Sequence, residues 1–240
     1  SLQENQRALE LVASRWSGEV SLDFIAGIPG QTTSELRQDL AALELVNAGH
    51  ASLYSLTLEP GTGLAAAVEA GRVSLNDPEE DEELWFAGKD ELERRGFQNY
   101  EISNFCLPGR ECQHNLNYWR GGEYLGLGPA AASHQGGRRW KNHADLLAYL
   151  RDPAGVVDEV EELGAKEKAA EEAMLRLRLI VEGLSAGEMV SRFGEDGTQG
   201  LFSRLDGLVA ERLLTCDGAK YRLARSRVLT SNSILARVLE

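Results

Sequence analysis

Between residues 20 and 105, short runs of β-forming residues alternate with helical stripes, and that rhythm leaves few architectures open. Val20–Ile25 is a strand-like run, and Gly27-Ile28-Pro29-Gly30 must leave any regular element behind it. Thr32 and Glu35 have the spacing of a capping box, and Leu36, Leu40, Leu43 and Val46 continue it as a helical stripe closed by Asn47-Ala48-Gly49. Ala51–Leu58 is a second strand ending at Glu59-Pro60-Gly61-Thr62, residues 81–95 a second helix, and Gln98–Phe105 a third strand. Upstream, Leu9, Val12 and Trp16 place a helix over residues 2–16. The order predicts a parallel sheet with helical crossovers. Three such units cannot close a barrel of eight strands, or even a six-stranded partial barrel. The sheet should therefore keep an open edge, with dimerisation, swapping or poor solubility as the consequence. A chain that opens at Ser1 in a helix already under way also suggests missing upstream sequence.

From residue 106 the rhythm breaks. Residues 107–141 carry Arg110, Arg120, Arg138, Arg139 and Lys141 against Glu111 and Glu123, in a chain whose net charge is −13. The same stretch holds seven glycines, the aromatics Tyr118, Trp119 and Tyr124, and both His114 and His134. Such a segment could wrap a flat anionic ligand, or be an irregular connection whose arginines offset nearby acids. Residues 158–172 are acidic and read as a solvated turn or helix start; Met174, Leu175, Leu177, Leu179 and Ile180 read as a buried helix. Ser185 and Glu188 repeat the capping signal, Phe202, Leu205, Leu208 and Leu213 continue helical packing, and Asp217-Gly218 is a hairpin turn. With a last helix over 232–239, the pattern predicts a winged-helix-like module. The expected division is 1–106, 107–165 and 166–240.

A sequence pI near 4.9 argues against generic nucleic-acid affinity, which needs a surplus of cations facing phosphates. No stretch approaches the ~20 apolar residues of a membrane span, and no secretory signal stands at the start. Cys106, Cys112 and Cys216 are odd in number and unevenly spaced, which fits a reducing, cytoplasmic setting better than a disulfide framework.

Several residues could carry chemistry. Asp23, set among apolar neighbours near a strand end, either accepts from ligand hydroxyls such as a ribose or bonds the turn that follows. Glu59 and Glu101 are further acids at or near strand ends. Cys112 and His114 lack the paired spacing of a structural zinc site. His114 is either an axial ligand to haem iron, with Tyr118 and Trp119 covering a porphyrin face, or a hydrogen-bonded loop histidine. Gly126-Leu127-Gly128-Pro129 is too poor a match for a dinucleotide-binding loop.

The segments Asp23-Phe24-Ile25-Ala26-Gly27-Ile28-Pro29-Gly30-Gln31-Thr32, Ser52–Thr62 and Tyr100–Phe105 occur in that order. Glu111-Cys112-Gln113-His114-Asn115-Leu116-Asn117-Tyr118-Trp119, Tyr124–Pro129, Arg139–Asn142 and Leu229–Asn232 follow them. Together they resemble the oxygen-independent coproporphyrinogen III oxidase-like radical-SAM proteins, in the branch regarded as haem chaperones. The resemblance implies an α/β fold: the C-terminal part of a partial (β/α)6 barrel followed by an α-rich winged-helix-like domain. It implies haem as ligand, haem-requiring proteins as partners, and a longer parent holding a [4Fe–4S] cluster and S-adenosylmethionine. The Cys-x3-Cys-x2-Cys ligands of that cluster are absent from this chain, which alone is expected to be without radical activity. The resemblance further implies that Asp23 meets the ribose of S-adenosylmethionine, that Thr57 lies near its adenine, and that His114 is the haem-attachment or haem-iron residue. Competing expectations are a coproporphyrinogen III decarboxylase and a non-catalytic docking scaffold. One departure stands out. The family commonly reads Gly-Pro-Gly-Ala-His-Ser where this chain has Gly128-Pro129-Ala130-Ala131-Ala132-Ser133. The role of that histidine does not transfer to Ala132, and His134, two residues on, could replace it only with altered direction and reach.

Overall fold

The computed structural model describes residues 2–153, 155 and 157–240 and divides into two compact units, Ser1–Cys112 and Gln113–Glu240. In the first unit, α1 (Leu2–Arg15) precedes β1 (Ser21–Ala26), α2 (Thr33–Leu40), α3 (Ala42–Leu45) and β2 (His50–Ser55). There follow α4 (Gly63–Glu69), α5 (Pro78–Arg94), β3 (Gln98–Asn99) and β4 (Asn104–Cys106). The capping box opens α2 as its spacing predicts: Glu35 N donates to Thr32 Oγ1 (3.2 Å) and Thr32 N to Glu35 Oε2 (2.8 Å). Leu36, Leu40, Leu43 and Val46 are all buried, and Asn47 ends the stripe with a left-handed φ of 51°.

β1 and β2 pair in parallel, with Asp23 opposite Ser52. The third strand departs from expectation. Residues 98–106 form a hairpin, not one parallel strand, and β4 runs antiparallel to both β2 and β3, giving the order β1-β2-β4-β3. Side chains cause the reversal. Asn99 Nδ2 donates to the carbonyls of Glu101 (2.6 Å) and Asn104 (3.1 Å), while Ser103 N donates to Glu101 Oε1 (3.2 Å). Glu101 is thus buried inside a turn, not displayed on a strand-end rim.

Apolar packing lies on one face of this sheet. Leu36, Leu53, Leu84, Trp85, Leu92 and Phe105 are buried there, and Trp85 Nε1 donates to the Leu53 carbonyl (3.1 Å). Gly88 lets α5 approach β2: a Cβ at that position would lie 2.9 Å from a Leu53 methyl and 3.0 Å from one of Leu36. The other face shows Asp23, Ile25 and Tyr54 to solvent, and β1 is an edge strand. The sheet is open, not a closed barrel.

The second unit opens with α6 (Gln113–Trp119). The meander β5 (Ala132–Gln135), β6 (Arg138–Asn142) and β7 (Val157–Glu162) is antiparallel, with α7 (Leu146–Arg151) between its last two strands. Part of the acidic tract is therefore strand. Opposite the acids of β7 stand Arg138, Arg139 and Lys141, so cross-strand charge pairing offsets its low β-propensity. Next come α8 (Ala165–Arg176), β8 (Leu184–Ser185), α9 (Ala186–Gly197), α10 (Leu201–Ala210), β9 (Leu214–Asp217), β10 (Lys220–Leu223) and α11 (Ser231–Ala236). The second antiparallel sheet has the order β8-β10-β9, and Gly218 turns its hairpin with φ 65°. Among the described residues, no helix is long and apolar enough to cross a membrane.

Candidate functional site

On α6, residues four apart share a face, so His114 meets Tyr118 and Asn115 neighbours Trp119. The His114 ring stands edge-on to Tyr118 at 4.8 Å between centroids. Tyr118 meets Tyr124 at 4.5 Å, and Tyr124 lies 6.1 Å from His134. Asn115, Tyr118 and Trp119 form one wall of a cavity of about 500 Å³ within the second unit. Tyr124, His134 and Arg139 add a second wall, and Lys168, Met174, Leu175 and Phe193 the third. His114 meets Tyr118 but is not among the cavity's lining residues.

The cations of 107–141 are largely spoken for. Arg110 pairs with Glu19, Arg120 with Glu182 (2.6 Å), Arg139 with Glu161 (2.7 Å) and Glu171, and Lys141 with Glu159. Arg138 lies over the Trp140 ring at 5.4 Å. The basic surplus in the sequence is thus offset by acids, as in the plainer of the two readings, but by acids of distant segments and not by nearby ones. Glu172, a largely buried residue of the cavity lining, accepts from Arg176 Nε (2.9 Å) and Arg192 Nη1 (3.1 Å). The Gly126–Gly128 run is also committed internally: its two glycine carbonyls accept from Asn142 Nδ2 (3.0 and 2.9 Å), and Gly128 N donates to Tyr149 Oη (2.9 Å).

Trp119 Nε1 is buried without a hydrogen-bond partner and has essentially no accessible surface, so it is closed off from a ligand in the cavity. Lys168 lines the cavity with no carboxylate in ion-pair range among the described residues. Sequence reasoning missed Lys168, Met174 and Phe193, because they belong to helices of the acidic and apolar stretches and reach the cavity only through tertiary packing.

The remaining predicted residues lie in the first unit. Asp23 is exposed on the open sheet face, and Thr57 is exposed just past the end of β2. Beside them runs a hydrogen-bonded row. Ser21 Oγ is 2.8 Å from His50 Nδ1, His50 Nε2 is 2.9 Å from Tyr100 Oη, and Cys112 N donates to that hydroxyl (3.3 Å). Burial pushes the His50 imidazole below its ordinary value, opposed by the Asp23 charge. The unfolded chain then binds a proton more readily than the folded one, so this contribution is full above the ordinary imidazole value and fades as pH falls through it. We expect denaturant stability to drop by up to ~1.4 kcal/mol per pH unit as pH is lowered from about 6.5, and His50→Gln to flatten that slope. An unchanged slope in the variant would refute the assignment.

The donor sets differ in what they fit. Among the described residues, no three of His, Cys, Asp and Glu come together as a metal-ligand group. Cys106 is buried on β4, Cys112 is half-buried and Cys216 is exposed in the other unit, so these thiols do not fit a [4Fe–4S] cluster. The cavity has aromatic walls and the cation Lys168, and its lining carboxylates are engaged, Glu123 with Gly136 N, Glu171 with Arg139 and Glu172 with Arg176 and Arg192; that lining fits a flat anionic aromatic ligand, and the volume lies in the usual range for ligand pockets.

Comparison with known proteins agrees on the fold. The chain is 32% identical over 235 residues to the heme chaperone HemW of Mycobacterium tuberculosis, covering 97% of this chain and 58% of that protein. It is 31% identical over 227 residues to HemW of Bacillus subtilis, covering 92% and 59%. Over 114 residues it is 42% identical to the mouse mitochondrial radical S-adenosyl methionine domain-containing protein 1, covering 48% and 26%. Coproporphyrinogen III oxidase (HemN) from Escherichia coli, a radical SAM enzyme, superposes with a TM-score of 0.70 at 16% identity, over 91% of this chain and 54% of that one. No protein-family model matches. The fold is therefore a mixed α/β, radical-SAM-like one with an open sheet. The chain is similar in sequence to HemW and in fold to HemN, and it spans about 58% of the length of the HemW relatives it matches.

Proposed function

We propose that this chain is the C-terminal, haem-binding portion of a haem chaperone that delivers haem to haem-requiring proteins. The observation that carries the reading is the cavity of the second unit, walled by Tyr118 and Trp119, in a chain about a third identical to HemW over nearly its whole length. In this reading Tyr118 and Trp119 cover a porphyrin face, and His114, edge-on to Tyr118, attaches the haem. Residues 107–165 connect the barrel strands to a winged-helix-like module, a reading supported by the succession α8, β8, α9, α10, β9, β10.

Asp23 and Thr57 would serve S-adenosylmethionine, at its ribose and near its adenine, in a longer protein. S-adenosylmethionine is the radical source of that chemistry when a cluster is bound, and no step of it is assigned to this chain. The open face and edge of β1 support pairing with further strands, or dimerisation or swapping between copies; concentration-dependent mass by light scattering reads the latter, and a stable monomer would count against it. Three free thiols support a reducing, cytoplasmic setting.

An anaerobic haem titration followed by absorption tests the reading. We expect saturable one-to-one binding with a Soret shift, and in His114→Ala loss of the haem that stays attached to the wild type on denaturation. Absence of saturable binding would contradict the carrier function of this chain and favour a docking role. Coproporphyrinogen decarboxylation by the chain would favour the oxidase.

A further inference from the structure

We infer that His134 supplies an iron ligand to a metalloporphyrin held in the second unit's cavity, and that Lys168 takes a carboxylate of the same molecule. The inference rests on the haem-carrying reading and deepens it. Strand alternation places Ser133 and His134 on opposite faces of β5. Ser133 is fully buried, accepting from Gly126 N (2.9 Å), and His134 lines the cavity. The His134 backbone is fixed on both sides by Tyr124, its N donating to Tyr124 O and its O accepting from Tyr124 N, each at 2.9 Å. Its ring is fixed as well, because Nδ1 lies 3.1 Å from the Gly122 carbonyl. A carbonyl only accepts, so Nδ1 is the nitrogen that donates and Nε2 is the one left to ligate. Metal-binding histidines are held in this way, one ring nitrogen donating to a carbonyl while the other ligates.

The kind of metal follows from what surrounds His134. With no three-residue ligand group among the described residues, a single imidazole suits a metal that arrives with its other ligands already attached, as iron does in a porphyrin. The anionic edge of such a molecule needs a cation, and the arginines of the wall are already engaged: Arg139 with Glu161 and Glu171, Arg192 with Glu172. Lys168 is the lining cation with no such partner among the described residues.

The test titrates the full chain with ferric haem and with metal-free protoporphyrin, for the wild type, His134→Gln and Lys168→Met. The glutamine amide retains a donor for the Gly122 carbonyl. We expect His134→Gln to weaken ferric haem by roughly tenfold or more and alter its Soret and electron paramagnetic resonance signals, while metal-free protoporphyrin binds as before. Lys168→Met should weaken both ligands alike. Wild-type spectrum and affinity in His134→Gln, or equal loss of both ligands in that variant, would overturn the ligand assignment. An unaffected Lys168→Met would overturn the carboxylate contact. Failure of the wild type to bind haem would instead overturn the haem-carrying reading itself.

Discussion

Truncating Trp85 to alanine is expected to destabilise the Ser1–Cys112 unit by about 3–5 kcal/mol, enough to leave it largely unfolded if its stability is ordinary. Trp85 is 2% exposed, meets Phe105 at 6.3 Å between ring centroids and donates its indole N–H to the Leu53 carbonyl. Alanine removes the ring and leaves that carbonyl without the indole donor, so a cavity penalty and a lost hydrogen bond combine. Amide hydrogen exchange mapped to residues 21–106 reads the effect directly. Protection of β1 and β2 should collapse in the variant; protection equal to the wild type would show that Trp85 does not hold α5 to the sheet.

The second large effect belongs to Glu172. Its side chain is 6% exposed and joins Arg176 and Arg192, whose own exposures are 14% and 49%. Glu172→Ala strands the buried Arg176 beside its remaining partner Glu188, while the half-exposed Arg192 turns to water. We therefore expect a loss near the lower end of the range for breaking a buried pair, about 3 kcal/mol. Glu182→Ala, which removes an exposed partner of Arg120, should cost no more than ~1 kcal/mol. Urea midpoints of the two variants make the comparison. Equal, small shifts would mean that Glu172 is not the electrostatic centre of the cavity lining.

What the sequence discloses is what local chemistry decides. The Thr32–Glu35 box, the Leu36–Val46 stripe and the Asp217-Gly218 hairpin depend on residues within a turn or two of one another, and all three appear in the structure. The third strand did not, because its alternation of apolar and polar residues says nothing of the Asn99 and Glu101 hydrogen bonds that fold it back. The site was half legible. Tyr118 and Trp119 stand in the cavity wall, while the arginines near them in sequence are quenched by Glu161, Glu171 and Glu182, acids more than twenty residues away. Lys168 is the reverse case, a lone cation drawn from a tract whose composition reads as acidic surface.

The central claim, that the cavity of the Gln113–Glu240 unit is the porphyrin site, can be tested on two methyl groups. The chain has two methionines: Met174 lines the cavity, whereas Met189 is 1% exposed in the core and is not among the lining residues. A methionine-methyl carbon–proton correlation spectrum therefore contains one reporter and one internal reference. On titration with ferric haem, followed in parallel by the Soret band, we expect the Met174 signal to broaden and shift as the band saturates, with a much smaller change at Met189. A saturated Soret band with both methyl signals unmoved would place the haem elsewhere and contradict the account.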